Sequence, residues 1–258
     1  MSTGANQDEL PSDAALPSWA EPPNNKANTH VPRSQSTKGA RSFQQQPRRP
    51  NHFFALQVSQ SATVTAAIRS VHDSLVRHSQ ALQPALVEPE TAHLTLMVTA
   101  LDTVEEVLRA EAAMETFAGE LAADEAWAEP MTLSLEGLSH FRHQVLYLDV
   151  KKDLEHERLL AFAKALRDHM QASEIKSTDD RDFTGHVTIA KLSKIRSKRR
   201  KAGAKLSKIP EEGYAQQASI TAGEVLVTEL QLCQMQGRES GSYYKIRKSF
   251  AVCCQGKQ

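Results

Sequence analysis

Apolar and polar positions change period repeatedly along the chain, and the changes mark out elements. Phe53-Phe54-Ala55-Leu56-Gln57-Val58 is a short apolar run of strand length. Val64, Ala67, Ile68, Val71 and Leu75 then recur at helical spacing. Ala92–Thr99 reads as the next strand. Thr103-Val104-Glu105-Glu106 is a capping box, opening a helix that carries Val104, Leu108, Phe117 and Leu121. Met131–Leu138 is a strand that Gly137 is expected to close. The order then repeats: a strand over Val145–Lys151, a helix marked by Leu159, Phe162, Ala163, Leu166 and Met170, and a strand over Phe183–Leu192. Glu224–Met235 and Tyr243–Cys253 are expected to be one strand each.

A β-α-β unit therefore occurs twice, each time ending in a His-x-Thr strand. The fold class this predicts is α+β, with two pseudo-symmetric β-α-β lobes facing each other across a central cleft. A parallel doubly wound sheet with a phosphate loop fits less well, because no Gly-rich turn follows any predicted strand.

The first 50 residues have no such period. They hold seven of the eleven prolines, and Leu10, Leu16, Trp19, Val31 and Phe43 are scattered among polar residues. A segment of this kind cannot bury enough apolar surface to offset its ordering entropy. Residues 1–50 are expected to be a disordered tail and residues 51–255 the folded domain. The low hydrophobic share of the 258-residue chain, 40 %, agrees with that division.

Charge and cysteine content narrow the classes further. Lys+Arg and Asp+Glu both number 31, which excludes a wholly basic coat protein and an acidic solvating chain. No apolar run is long enough for a membrane span. The start of the chain lacks a secretory pattern, and Ser2 follows Met1 where myristoylation needs Gly. Cys233, Cys253 and Cys254 cannot build a disulfide framework, so a cytoplasmic or nuclear setting is expected. His52, His72, His78, His140, His143, His156 and His169 show no metal-ligand spacing with the cysteines. No metal and no cofactor are expected.

The chemistry lies in His93-Leu94-Thr95 and His186-Val187-Thr188. Residues i and i+2 of a strand share a face, so each strand presents an imidazole beside a hydroxyl. Side by side, the two strands would line a cleft suited to phosphodiester cleavage. One neutral His takes a proton from the attacking oxygen, and the other, protonated, gives one to the leaving oxygen. The Thr hydroxyls donate to the non-bridging oxygens. The competing reading makes both core histidines, each bonded to a neighbouring hydroxyl.

Lys191 follows closely enough to reach a phosphate. It opens a run with nine positive charges in eighteen residues, ending at Lys208 and centred on Lys198-Arg199-Arg200-Lys201. That run fits an import signal, an electrostatic funnel for RNA, or a solvated loop. Arg142 and Tyr147 flank the crossing between lobes, as cleft residues or as a surface Arg and a core Tyr. Phe54 and Phe183 are candidates for stacking on a base, or plain core.

The paired H-x-T strands in duplicated lobes resemble the 2H phosphoesterases, the RNA ligase-like fold of LigT-type proteins. A closer likeness than to the LigT-type proteins is to the nuclear-localisation-signal domain of A-kinase anchoring proteins. It is carried by Phe53–Val58, Ala92–Val98, the run from Gly137 to Tyr147, Phe183–Ser193 and Leu230–Met235. The resemblance implies a bilobal domain with His93, Thr95, His186 and Thr188 in the cleft. It further implies binding of nucleoside monophosphates, and cleavage of 2′,5′-linked or cyclic phosphodiesters of short RNA or 2′,5′-oligonucleotides. A domain of this kind could instead be an AMP or CMP sensor or a scaffold without turnover. The anchoring proteins dock protein kinase A through a helix beyond the domain. Only Cys254–Gln258 follow the last predicted strand, so kinase anchoring is not expected. A monomer is expected.

Overall fold

The computed structural model describes residues 48–198 and 206–252. The segment read as a tail lies outside the described residues up to Pro47, as do Arg199–Lys205 of the basic run and the pair Cys253-Cys254. The strands are β1 (His52–Gln57), β2 (His93–Thr99), β3 (Met131–Phe141), β4 (Val145–Val150), β5 (His186–Lys191), β6 (Thr221–Val227), β7 (Glu229–Gln234) and β8 (Lys245–Ala251). The helices are α1 (Ala62–His78), α2 (Val104–Ala123), α3 (Leu154–Ala172) and the short α4 (Ser193–Lys198).

Side-chain caps fix three helix starts. The Ser61 hydroxyl accepts the Val64 N–H, Thr103 and Glu106 form the expected capping box, and Asp153 accepts the His156 N–H. Each such cap stabilises by about 1 kcal/mol. Val64, Ile68, Val71 and Leu75 of α1, and Leu159, Phe162, Leu166 and Met170 of α3, are buried on one face of their helices. In α2 the buried stripe is Ala110, Met114, Phe117 and Leu121, while Val104 and Leu108 are 71 % and 56 % exposed. Their assignment to the apolar face is corrected: Leu108 is two and a half turns from Phe117 and so points the opposite way.

The sheet order is β6-β3-β4-β5-β2-β1-β7-β8, and every pairing is antiparallel. The units β1-α1-β2 and β4-α3-β5 each place their two strands side by side, and the units meet where β5 adjoins β2. Two expected strand limits are corrected. Gly137, at φ +79°, sits in a bulge where the β3 register shifts, and the strand runs on to Phe141. Glu224–Met235 is two strands in opposite halves of the sheet, split at Thr228. One residue spans only about 3.5 Å. The sheet therefore curls until its two halves approach, and the Thr228 carbonyl accepts the Val252 N–H at 3.0 Å. One continuous core runs under both lobes, from Phe54, Leu56 and Leu94 to Leu148, Phe162 and Val187.

Candidate active site

In β2 and β5 the residues between the motif positions, Leu94 and Val187, are fully buried and face each other across the junction. His93, Thr95, His186 and Thr188 are the partly exposed alternates. Extending the antiparallel register sets His93 across from Thr188 and Thr95 across from His186. The imidazoles are thus on diagonal neighbours, which sheet geometry sets roughly 7–8 Å apart, with their Cβ atoms somewhat closer. That separation accommodates a phosphodiester with its attacking oxygen on one side and its leaving oxygen on the other.

Both rings are held alike. His93 Nδ1 lies 2.6 Å from the Thr91 carbonyl, and His186 Nδ1 lies 2.8 Å from the Thr184 carbonyl. A carbonyl only accepts, so each Nδ1 carries a proton and each neutral ring keeps its lone pair on Nε2. Burial takes His93 down to about 4 and also lowers His186. The Lys191 ammonium pushes both in the same direction. Asp149, the register partner of His186, acts against the shift at His186. No carboxylate among the described residues does so at His93.

Lys191 reaches the cleft face through a bulge. Tyr147 pairs with Thr188 and Leu146 with Ala190, so Ile189 is an extra residue in β5 and Lys191 pairs with Val145. Strict alternation from Thr188 would have put Lys191 on the core face; the bulge turns it to the side of His186 and Thr188. Burial brings its ammonium down to about 8. In β2 the extra residue is Leu96, and the position equivalent to Lys191 is Val98. The motifs are thus His-x-Thr-x-x-Val in one lobe and His-x-Thr-x-x-Lys in the other.

Residues 50–252 match the family described as the AKAP7 2′5′ RNA ligase-like domain. The chain belongs to this family. Human A-kinase anchor protein 7 isoform gamma is 26 % identical over 234 residues, 86 % of this chain and 65 % of that protein. The chain thus spans 65 % of the length of that relative. Among solved structures, E. coli LigT complexed with 3′-AMP is similar at TM-score 0.53 and 19 % identity, over 80 % of this chain and 99 % of that one. A second crystal structure, of a phosphoesterase, is similar at TM-score 0.52 and 19 % identity, over 79 % of this chain and 98 % of that one. The fold is the LigT-like 2H phosphoesterase fold, with the two H-x-T strands of this family member at its centre.

Aromatic rings wall the cleft of this 2H domain on both sides. Phe53 lies 4.8 Å from His93, with Tyr244 at 5.4 Å and Tyr243 at 6.4 Å; Phe141 and Tyr147 lie 5.0 and 5.3 Å from His186. Tyr147 lies beside His186 but is buried, packed with Phe141 and Val145. Phe54 is not at the site: it points into the main core with no exposed surface, and its neighbour Phe53 faces the histidine. Phe183 packs against the main core with the Arg167 guanidinium 5.8 Å from its ring, before β5 begins. Arg142 is exposed at the tip of the β3–β4 hairpin, beyond Phe141. Phe53, Phe141, Asp149, Tyr243 and Tyr244 escaped the sequence reading. The two tyrosines lie some 150 residues from His93 and carry no local signal.

Proposed function

We propose that this chain is a phosphodiesterase that cleaves 2′,5′-linked or cyclic RNA-derived phosphodiesters by two-histidine acid–base catalysis. The observation that carries the reading is the matched tethering of both Nδ1 atoms to carbonyls two residues upstream, which leaves two Nε2 atoms for the cleft. His93, with burial and Lys191 both disfavouring its charge, is the base. It takes the proton of the attacking hydroxyl or water as the new P–O bond forms. His186, whose charged form Asp149 favours, is the acid. It gives its proton to the leaving oxygen as the old P–O bond breaks. The hydroxyls of Thr95 and Thr188 and the Lys191 ammonium stabilise the non-bridging oxygens, where negative charge concentrates. Phe53 and Tyr147 are buried behind the histidines, and the half-buried Tyr243 and Tyr244 are the rings that offer an edge or face to a nucleobase.

The test is turnover of 2′,5′-oligoadenylates, 3′,5′-oligoadenylates and 2′,3′-cyclic phosphates in EDTA. His93→Ala and His186→Ala are each expected to lose roughly 10²–10⁴-fold in turnover. The double variant should be little worse than either, because the pair acts as a unit. Undiminished cleavage by the double variant would defeat the assignment. AMP binding by the wild type without cleavage of any member of the panel would make the cleft a nucleotide-binding module instead.

A further inference from the structure

A second histidine cluster lies away from the H-x-T strands. His140 is the next-to-last residue of β3 and His143 lies in the turn after the strand, while Glu211 comes from the one-turn 3-10 segment Glu211–Gly213 where the chain returns past the basic run. The Glu211 carboxylate oxygen is 3.6 Å from His140 Nε2 and 3.6 Å from His143 Nδ1. All three ligand atoms fall within 4.8 Å of one another. The two imidazoles lie with centroids only 3.7 Å apart and planes 30° apart.

We propose that His140, His143 and Glu211 form a zinc-type divalent metal site that clamps the returning chain onto the β3–β4 hairpin. Two imidazoles and a carboxylate are a zinc ligand set with one position left open. A tetrahedral ion with bonds of about 2.1 Å holds its ligands about 3.4 Å apart, so both imidazole–carboxylate separations are already near that spacing. Loading has one local cost. The His143 N–H now donates to His140 Nδ1 at 3.2 Å; with metal on Nε2, that Nδ1 carries the proton and the hydrogen bond is given up. The clamp is placed to matter for the fold. The Ile209 N–H donates to the His143 carbonyl at 2.6 Å, two residues before Glu211. A partly exposed pair of rings and an exposed carboxylate leave an entry path.

The test uses the full chain, stripped with a chelator and dialysed, with zinc and cobalt as probes. Zinc uptake is followed by competition with a chromogenic chelator, and cobalt by the visible bands of a four-coordinate site. The wild type should bind one ion through these ligands. Glu211→Gln and His143→Asn should each weaken zinc by more than the roughly 10–100-fold that outer-shell partners are worth, and should lose the cobalt bands. Asn suits the left-handed φ of +53° at position 143, so His143→Asn keeps the turn if Glu211→Gln disturbs it. Zinc raising the melting temperature of the wild type but of neither variant would further support the clamp. No zinc uptake by the wild type at micromolar concentration, or cobalt spectra unchanged in both variants, would overturn it.

Discussion

In the proposed mechanism His93 and His186 occupy equivalent positions, and their different surroundings divide the labour between them. Lys191 opposes a positive charge on both rings, and Asp149 favours one on His186. With His93 brought to about 4 and His186 also lowered, kcat/KM should trace a bell on the acid side of neutrality. Its low limb is the base gaining a proton, and its high limb, below the ordinary imidazole value of about 6.5, is the acid losing one. Both limbs belong to the coupled pair. Asp149→Asn removes an anion that stabilises imidazolium, so the high limb should move to lower pH while the low limb moves less. A bound phosphodiester adds a negative charge beside both rings, so the kcat profile should lie at higher pH than that of kcat/KM. Profiles of the wild type and Asp149→Asn check both statements. Limbs that stay in place in Asp149→Asn would show that the carboxylate does not set the acid.

At the scale of the element, the phase of each pattern decides which face is buried, and α2 tests this. Phe117→Ala should destabilise by roughly 3–5 kcal/mol as a core truncation. Leu108→Ala and Val104→Ala, on the solvent face, should stay within about 0.5 kcal/mol. Urea titrations of the three variants measure the contrast, and an equal loss in Leu108→Ala would return that residue to the buried stripe. The sequence hides such phases where the pattern is not a pure period. The H-x-T strands were legible because polar motif residues alternate with Leu94, Leu96, Val187 and Ile189. The bulges at Leu96 and Ile189 were not, since an extra apolar residue in an apolar strand leaves no trace. β1 gave no choice between Phe53 and Phe54 because both of its faces are covered, one by the core and the other by the cleft aromatics. Thr228 looks like any strand residue, and only the pairings show that the chain changes lobe there.

At the scale of the molecule, the repeated β-α-β order was enough to infer two lobes. The convergence of Glu211 on His140 and His143, and of Tyr243 and Tyr244 on His93, was not legible, because contacts between distant segments carry no local period. The same long-range contacts bind the lobes into one unit. The α3 residue Arg167 donates from Nε to the Leu96 carbonyl of β2 at 2.9 Å and also bonds the Arg181 carbonyl. The Thr99 hydroxyl donates to the Lys176 carbonyl at 2.9 Å, and the Val87 N–H to the Ile189 carbonyl of β5 at 2.8 Å. His72 of α1 meets that same carbonyl at 3.1 Å. With the core continuous beneath both lobes, neither can unfold without exposing apolar surface of the other. Residues 48–252 should therefore unfold in one cooperative step. Far-UV ellipticity and near-UV aromatic ellipticity should give the same urea midpoint, and the most protected amides of α1 and α3 should exchange with the same opening free energy. Arg167→Met breaks charged hydrogen bonds worth about 1.5–3 kcal/mol, and should move both midpoints together although Arg167 sits on the helix of one lobe. A variant in which α3 loses protection while α1 keeps it would show that the lobes unfold independently.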